Sequence, residues 1–199
     1  GDEDGRRNAQ RDPGRGGTDV TDDSVEQLRI AVTGTPGTGK TTATEALSDR
    51  GIDTAVIHLN DEIKSHDLWT ERDVDRDSLV TDFEAARSHL GDWAGILESH
   101  LAHHFEADRV VVLRCAPADL ESRLEARGDP PEKARENAES EALDVVLSEA
   151  VEEHGPDSVY EVDTTDRDPD AVADEIAAVI AGEREPSAGN VDFTDYLVP

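Results

Sequence analysis

Short apolar runs alternate with longer amphipathic segments along most of the chain. The apolar runs predict five strands, at residues 28–33, 54–59, 95–98, 109–114 and 158–162. The fourth reads Val-Val-Val-Leu at its centre, with no polar residue in between. Strands of a parallel sheet are covered by helices on both faces, so they lack an apolar and polar alternation. The pattern therefore predicts parallel strands.

Segments with helical spacing lie between and after these strands. Residues 40–50 are predicted to form a helix that stops at Gly51, and residues 133–151 carry apolar side chains at the spacing of a second helix. The last helix is predicted to begin with Asp168 as its cap and to end before Gly182. Strands that alternate with helices predict an α/β fold whose parallel sheet has right-handed crossovers.

The composition divides the chain into three predicted parts. Residues 1–26 are rich in Gly, Asp and Arg and predict a disordered acidic leader, residues 27–182 predict one domain, and residues 183–199 form a C-terminal tail. The tail ends in an apolar stretch from Val191 to Leu197. Two interpretations remain open for it: a strap packed on its own domain, or a docking peptide for another molecule.

Acidic residues dominate the charge of the chain. The 48 Asp and Glu outnumber the 19 Lys and Arg, which gives a net charge of −29. Such a chain is either disordered, or a folded protein of a high-salt cytoplasm in which self-repulsion is screened. Because periodic segments are clear and lysines are few, we expect the folded protein rather than the disordered one. The composition resembles that of proteins from halophilic archaea. Nonspecific nucleic-acid binding needs a basic surface and is not expected.

Targeting and redox signals are sparse. No apolar run approaches the roughly 18 residues that a membrane-spanning helix needs, and no secretory signal is recognisable. We therefore expect a cytoplasmic location. The single cysteine, Cys115, follows an apolar run and is expected to be a small buried side chain rather than a reactive thiol.

A glycine-rich loop with the sequence GTPGTGKTT follows the first predicted strand, at residues 34–42. This is the complete P-loop motif in its expected place between a strand and a helix. Its glycines let backbone N–H groups point at an anion, and the helix N-terminus adds a positive partial charge. We expect Lys40 to reach the β- and γ-phosphates, Thr41 to bind Mg²⁺ and Thr42 to contact the α-phosphate of ATP.

Other segments favour a kinase over other P-loop proteins. A GTPase would carry an N-K-x-D segment, which does not occur, and a motor-type ATPase strand usually ends in Asp, whereas the matching strand here ends at Glu98. A kinase needs an arginine-bearing segment that closes over the phosphates. Arg123 and Arg127 supply one at the end of the helix after the fourth strand, although their spacing also fits an ordinary solvated helix face.

Four sequence features together resemble the adenylate kinase isoenzyme 6 family, small atypical adenylate kinases of archaea and eukaryotic nuclei. They are the P-loop, the Glu98-Ser99-His100 element, the Arg-Leu-Glu-x-Arg-Gly element at 123–128, and the Lys-Ala-Arg-Glu-Asn stretch at 133–137. The resemblance spans most of the chain, from about residue 29 to 182. It implies a five-stranded P-loop nucleoside-monophosphate-kinase fold with an NMP-binding segment at about 58–78 and a short lid at about 126–135.

The resemblance also implies roles for particular residues. Catalytic roles fall on Lys40, Glu98, His100 and Arg127; ATP contacts on Gly37, Gly39, Lys40, Thr41, Thr42 and Arg127; and Mg²⁺ contacts on Thr41 and Glu98. Two positions depart from the family pattern, since eukaryotic members usually have Asp in place of Glu98, and an aromatic residue in place of Asp129.

The family implies an activity and partners. It phosphorylates nucleoside monophosphates, with AMP as the expected acceptor, hydrolyses ATP, and helps to mature the small ribosomal subunit through ribosomal protein uS11. Two functions therefore stay open: an adenylate kinase with ATPase activity, or a ribosome-assembly ATPase that acts on a uS11-containing particle and has incidental kinase activity.

Three histidines, His100, His103 and His104, lie within five residues of each other. Such a cluster could bind a metal ion. The interpretation that we prefer places His100 beside Glu98, where it orders a water molecule or Mg²⁺ near the γ-phosphate. A purely structural histidine is the third alternative.

Overall fold

A parallel five-stranded sheet lies at the centre of the computed structural model, which describes residues 28–199. The strand order is β2-β5-β1-β6-β7, in which the central strand β1 is Arg29–Gly34. The others are β2 (Val56–His58), β5 (Gly95–Glu98), β6 (Arg109–Arg114) and β7 (Val159–Asp163). Each lies within two residues of a predicted strand at both ends. The predicted leader lies outside the described residues.

Helices cover both faces of this sheet. On one face, α1 (Lys40–Glu45) and α7 (Pro169–Ile180) pack on side chains such as Ile30 and Val111. On the other, α2 (Leu59–Ser65), α3 (Phe83–Leu90) and α6 (Val145–His154) pack on side chains such as Ala31 and Val110. Residues 110–113 are fully buried because each of them meets one of these two layers. With a P-loop after β1, this is the predicted P-loop nucleoside-monophosphate-kinase fold.

The helix predicted over residues 133–151 is wrong as one element. It is two helices, α5 (Pro131–Ala142) and α6, separated at Asp144, whose backbone is left-handed with φ of 56°. The Asp144 carboxylate accepts a hydrogen bond of 2.5 Å from the Arg114 guanidinium on β6. A distant partner therefore fixes this break.

The helix predicted over residues 40–50 is also shorter than expected. After α1 ends at Glu45, a separate 3-10 turn spans Ser48–Arg50 and closes at Gly51, which has φ of 70°. The Thr44 hydroxyl donates to the carbonyls of Lys40 and Thr41, and such bonds within a helix compete with its regular pattern. The last helix begins and ends as predicted, with Asp168 as its cap.

A small antiparallel hairpin was missed by the sequence pattern. It consists of β3 (Trp69–Asp73) and β4 (Ser78–Thr81) and stands between α2 and α3. Its partly buried Leu79 packs against the core. The predicted NMP-binding segment, residues 58–78, covers α2 and most of this hairpin.

The C-terminal tail packs on its own domain, as the strap interpretation expects. Tyr196 Oη donates to Glu121 of α4 (Pro117–Ala126) at 2.8 Å, and the backbone N–H of Asn190 donates to Glu161 at 2.8 Å. The Phe193 ring centre lies 5.5 Å from the Arg114 guanidinium. These contacts run from Asn190 to Tyr196, so this part of the tail follows the domain surface.

Two smaller expectations have a structural outcome. Cys115 is fully buried, and burial raises the pKa of its thiol to about 11, as expected for an unreactive side chain. Among residues 28–199, none of the helices combines the length and the apolar character needed to cross a membrane.

Arg114 is the only arginine among the fully buried side chains of the described domain. Its guanidinium donates to Glu141 at 2.8 Å and to Glu161 at 2.7 Å, in addition to Asp144. The second oxygen of Glu141 accepts from the Thr35 hydroxyl of the P-loop at 2.6 Å. One buried cation thus joins β6, α5, β7 and the P-loop.

We predict that Arg114→Met lowers the free energy of unfolding by about 3–5 kcal/mol, because it leaves buried carboxylates without their counterion. Urea unfolding at constant molar KCl measures this. Arg50→Met is the matched control, since Arg50 pairs with Asp170 and Asp174 at the surface and should matter much less. Equal losses for both variants would contradict a structural role for the buried network.

Candidate functional site

The P-loop runs from the end of β1 to the start of α1. Gly37 and Gly39 have φ of 91° and 92°, a left-handed backbone that other residues rarely adopt. A Cβ atom on Gly37 would lie 2.8 Å from Leu124 and 2.9 Å from Leu120, both on α4. The loop therefore packs directly on the helix that carries Arg123 and leads to Arg127.

Lys40 occupies the first position of α1 and is 8% exposed. Its ammonium donates to the carbonyls of Gly34 at 2.8 Å and Thr35 at 3.1 Å. Burial lowers the pKa of Lys40 from 10.5 to about 8, although the nearby carboxylates of Glu98 and Glu141 act in the opposite direction. A lysine held in this way is charged at neutral pH and poorly hydrated, so an added anion would interact strongly with it.

Thr41 and Glu98, the two predicted Mg²⁺ ligands, lie next to each other. The Thr41 hydroxyl donates to Glu98 Oε1 at 3.4 Å. Glu98 is 6% exposed, and its other oxygen, Oε2, lies 2.7 Å from His58 Nδ1. The site thus offers a hydroxyl and a carboxylate, the hard oxygen ligands that Mg²⁺ prefers.

His58 is a site residue that sequence reasoning missed. It ends β2, and in the parallel pairing of β2 with β5 its register partner is Glu98. Side chains at the carboxyl ends of neighbouring parallel strands meet at one edge of the sheet, so the position of His58 at the end of a predicted strand was the available signal, although the register itself is set only in the assembled sheet.

His100 follows β5 by two residues and lines the same cavity as Lys40 and Glu98. Burial, and then the positive charge of Lys40, lower the pKa of His100 to about 4. Its ring is therefore neutral at pH 7. A neutral imidazole can orient a water molecule but adds no positive charge to the site.

Arg127 lines the same cavity but is paired with an acidic neighbour. It caps α4 and is exposed, and its guanidinium forms two contacts of 2.8 Å with the Asp129 carboxylate. Asp129 occupies the position where the resembling family has an aromatic residue. The structure thus brings Lys40, Thr41 and Glu98 together, while Arg127 stands on the wall of the cavity with its own acidic partner.

A cavity of about 910 Å³ extends from the P-loop between α5, α2 and the hairpin. All three lysines of the chain line it, although the chain has only 19 basic residues. Its cationic side chains are Lys40, Lys64, Arg76, Arg123, Arg127 and Lys133. Lys133 also donates to the Arg76 carbonyl at 3.4 Å and so links α5 to the hairpin loop. Four carboxylates line the cavity as well, so cations outnumber acids there by six to four, the reverse of the balance in the whole chain; the acidic residues are Asp77, Glu98, Glu136 and Glu149.

Several known proteins are similar to this chain in sequence or in fold. A protein of Natronomonas pharaonis named "Putative adenylate kinase" is 61% identical over 171 residues, which cover 85% of this chain and 100% of that protein. A protein of the same name from Methanocaldococcus jannaschii is 41% identical over 179 residues, which cover 85% and 97%. A solved shikimate kinase from Bacteroides thetaiotaomicron aligns with a TM-score of 0.49 at 20% identity, over 77% of this chain and 98% of its own.

The model of the AAA domain family matches residues 30–144, more than half of the chain. The chain belongs to the AAA domain family. The matched span begins in β1 and ends after α5, so it contains all the residues for which a site role was predicted from sequence.

Two further cavity residues of this AAA domain, Lys64 and Arg76, had no predicted role. Lys64 lies at the end of α2, and Arg76 lies in the turn between β3 and β4. The scarcity of lysine was the available signal for Lys64, because a lysine in a chain with only three of them is a candidate for a specific role. Nothing in the local sequence distinguishes Arg76 from other surface arginines.

We predict that the affinity for a non-hydrolysable ATP analogue is constant from pH 7.5 to about 8 and then falls by up to about tenfold per pH unit. The reason is that the free protein loses the charge of Lys40 above its lowered pKa of about 8. Calorimetric titrations between pH 7.5 and 9.5 measure this. Lys40→Met should bind the analogue weakly and show no fall in affinity above pH 8, whereas Lys64→Gln should still show that fall. A constant wild-type affinity up to pH 9.5 would contradict this assignment.

Proposed function

We propose that this chain is an ATP-dependent nucleoside monophosphate kinase that converts ATP and AMP into two ADP. The observation that carries the proposal is the cavity in which all three lysines of a chain with net charge −29 meet beside a complete P-loop. The P-loop kinase fold and the adenylate kinase name of two close relatives support it.

ATP would bind with its phosphates on the P-loop. The backbone N–H groups at Gly37 and Gly39, the Lys40 ammonium and the side chains of Thr41 and Thr42 are the groups available to hold them. The donor set of Thr41 and Glu98 fits Mg²⁺, because both offer oxygen atoms and these lie 3.4 Å apart. When bound, Mg²⁺ neutralises charge on the β- and γ-phosphates. His58 would hold Glu98 in place through its 2.7 Å contact.

The acceptor nucleotide would occupy the other end of the cavity. We assign its phosphate to the cations of the predicted NMP-binding segment and lid, which are Lys64, Arg76 and Lys133. Because Lys133 already contacts the Arg76 backbone, the lid and the NMP-binding segment meet on the acceptor side. An anion between them would be held from two elements at once, which favours closure of the cavity.

Phosphoryl transfer would then depend on positioning and charge. The bond from the γ-phosphorus to ADP breaks as a bond to an oxygen of the acceptor phosphate forms, and that oxygen needs no base at neutral pH. Lys40 and Arg127 would offset the charge of the transferring group. Arg127 must exchange Asp129 for phosphate, which costs little because exposed ion pairs contribute about 0–1 kcal/mol.

Finer assignments rest on the resemblance to the isoenzyme 6 family and on composition. They are ATP hydrolysis, a role in maturation of the small ribosomal subunit through uS11, and a halophilic, cytoplasmic setting. For hydrolysis, a specific group is available: His100 is neutral at pH 7 and lines the cavity, so it could hold the attacking water. An assembly ATPase with incidental kinase activity is therefore the second candidate.

One experiment compares these functions. ADP formation from ATP plus AMP, and phosphate release from ATP alone, are measured in molar KCl for the wild type and three variants. For the wild type we expect the first rate to exceed the second by about 100-fold or more, since closure around AMP excludes water. Lys40→Ala should lose about 100- to 1,000-fold in both rates, because it removes a cation from the transition state.

The other two variants separate the roles of Glu98 and His100. Glu98→Ala should slow both reactions through poorer Mg²⁺ placement, whereas His100→Ala should slow hydrolysis more than AMP phosphorylation. Melting temperatures serve as the control for folding. Hydrolysis as fast without AMP as transfer with it would reject the kinase proposal. Parallel losses in His100→Ala with a lowered melting temperature would make His100 a structural residue.

A further inference from the structure

Two histidines and a glutamate meet near the P-loop, outside the groups that the proposed reaction uses. His103 Nε2 lies 2.7 Å, and His104 Nε2 lies 3.5 Å, from the same oxygen, Oε2 of Glu149. The histidines belong to a 3-10 turn at Ala102–His104 and the glutamate belongs to α6. The three ligand atoms all lie within 4.8 Å of one another. His100 is not a member of this cluster.

The second nitrogen of each ring is also held. His103 Nδ1 lies 2.7 Å from the Thr33 hydroxyl at the end of β1, and His104 Nδ1 lies 2.5 Å from the Glu153 carboxylate on α6. A carboxylate can only accept, so Nδ1 of His104 carries the proton. A metal ion bound between the Nε2 atoms and the Glu149 oxygen would take the place of a proton there.

This arrangement has the features of metal-binding histidines. Such residues usually place one nitrogen on the ion and donate the other N–H to a carboxylate or another acceptor, which fixes the ring. Glu153 provides such an acceptor for His104, and the Thr33 hydroxyl can accept from His103 Nδ1 in the tautomer that leaves Nε2 free for an ion.

A second cluster provides an internal comparison. His89 Nε2 lies 2.7 Å, and His66 Nε2 lies 3.5 Å, from Oε2 of Glu62 on α2. Its contacts to the shared carboxylate match those of the first cluster. Within residues 28–199, however, no acceptor holds the Nδ1 atom of either ring, and both histidines are exposed. The structure therefore favours the cluster of His103, His104 and Glu149 as the metal site.

We propose that His103, His104 and Glu149 bind one divalent transition-metal ion of the zinc class. Imidazole and carboxylate ligands suit such ions, and tetrahedral ligands of zinc lie about 3.3 Å apart. Glu149 is only half-buried, so its side chain can withdraw by the small distance that the ion requires. His104 and Glu149 both line the cavity, which leaves the remaining coordination position open to water. The ion would tie the 3-10 turn to α6.

Cobalt(II) is the probe, because its visible absorption reports coordination by nitrogen and oxygen. The full chain, free of nucleotide and chelator, is titrated in molar KCl containing excess Mg²⁺. We expect saturation at one equivalent and displacement by zinc. His104→Gln and Glu149→Gln should weaken binding by about 100-fold, and Glu153→Gln by about 10- to 100-fold although it touches no ion. His89→Gln is the matched control and should bind like the wild type.

Other outcomes would overturn the proposal. Binding that His89→Gln abolishes and His104→Gln leaves intact would assign the ion to the other cluster. Cobalt binding that never saturates, or that Mg²⁺ displaces, would show only scattered carboxylates at the surface. Circular dichroism of each variant confirms its fold, and His103, which is almost fully buried, is left unchanged for that reason.

Discussion

The buried guanidinium of Arg114 is the interaction on which the rest of the structure depends. A lone buried charge is strongly unfavourable, and here Glu141, Asp144 and Glu161 offset it from three separate segments. Because Glu141 also accepts from Thr35, the position of the P-loop is tied to the same cation. Asp144 lies at the break between α5 and α6, and Phe193 of the tail lies beside the same guanidinium, so both of these segments also contact Arg114.

A second constraint is the separation of charge between surface and cavity. The net charge of −29 favours solvation and resists compaction, and high salt screens the repulsion. Against this background, six cations line one cavity beside the P-loop. Arg127 combines both features, since it lines the cavity and also donates a hydrogen bond to the acidic Asp129. Cations therefore outnumber carboxylates among the side chains that line this cavity, whereas acidic residues outnumber basic ones in the chain as a whole.

Features that depend on the local pattern of residues could be predicted from the sequence. The five strands are confirmed because continuous apolar runs report burial on both faces, and the P-loop motif carries its own backbone geometry. The break at Asp144 could not be predicted, because its cause is Arg114, some 30 residues away in sequence. The β3–β4 hairpin escaped because its residues are mostly polar and exposed. His58 beside Glu98 depends on strand register, which only the assembled sheet reveals.

We propose that one cavity holds two nucleotides whose phosphates meet between Lys40 and the cations of the hairpin and α5. A bisubstrate analogue that joins two adenosines through five phosphates tests it most directly, by calorimetry in molar KCl. We expect one molecule of the analogue to bind per chain, about 100-fold or more tightly than ATP or AMP alone, because one linked ligand makes both sets of contacts. An affinity no higher than that of ATP would contradict the claim.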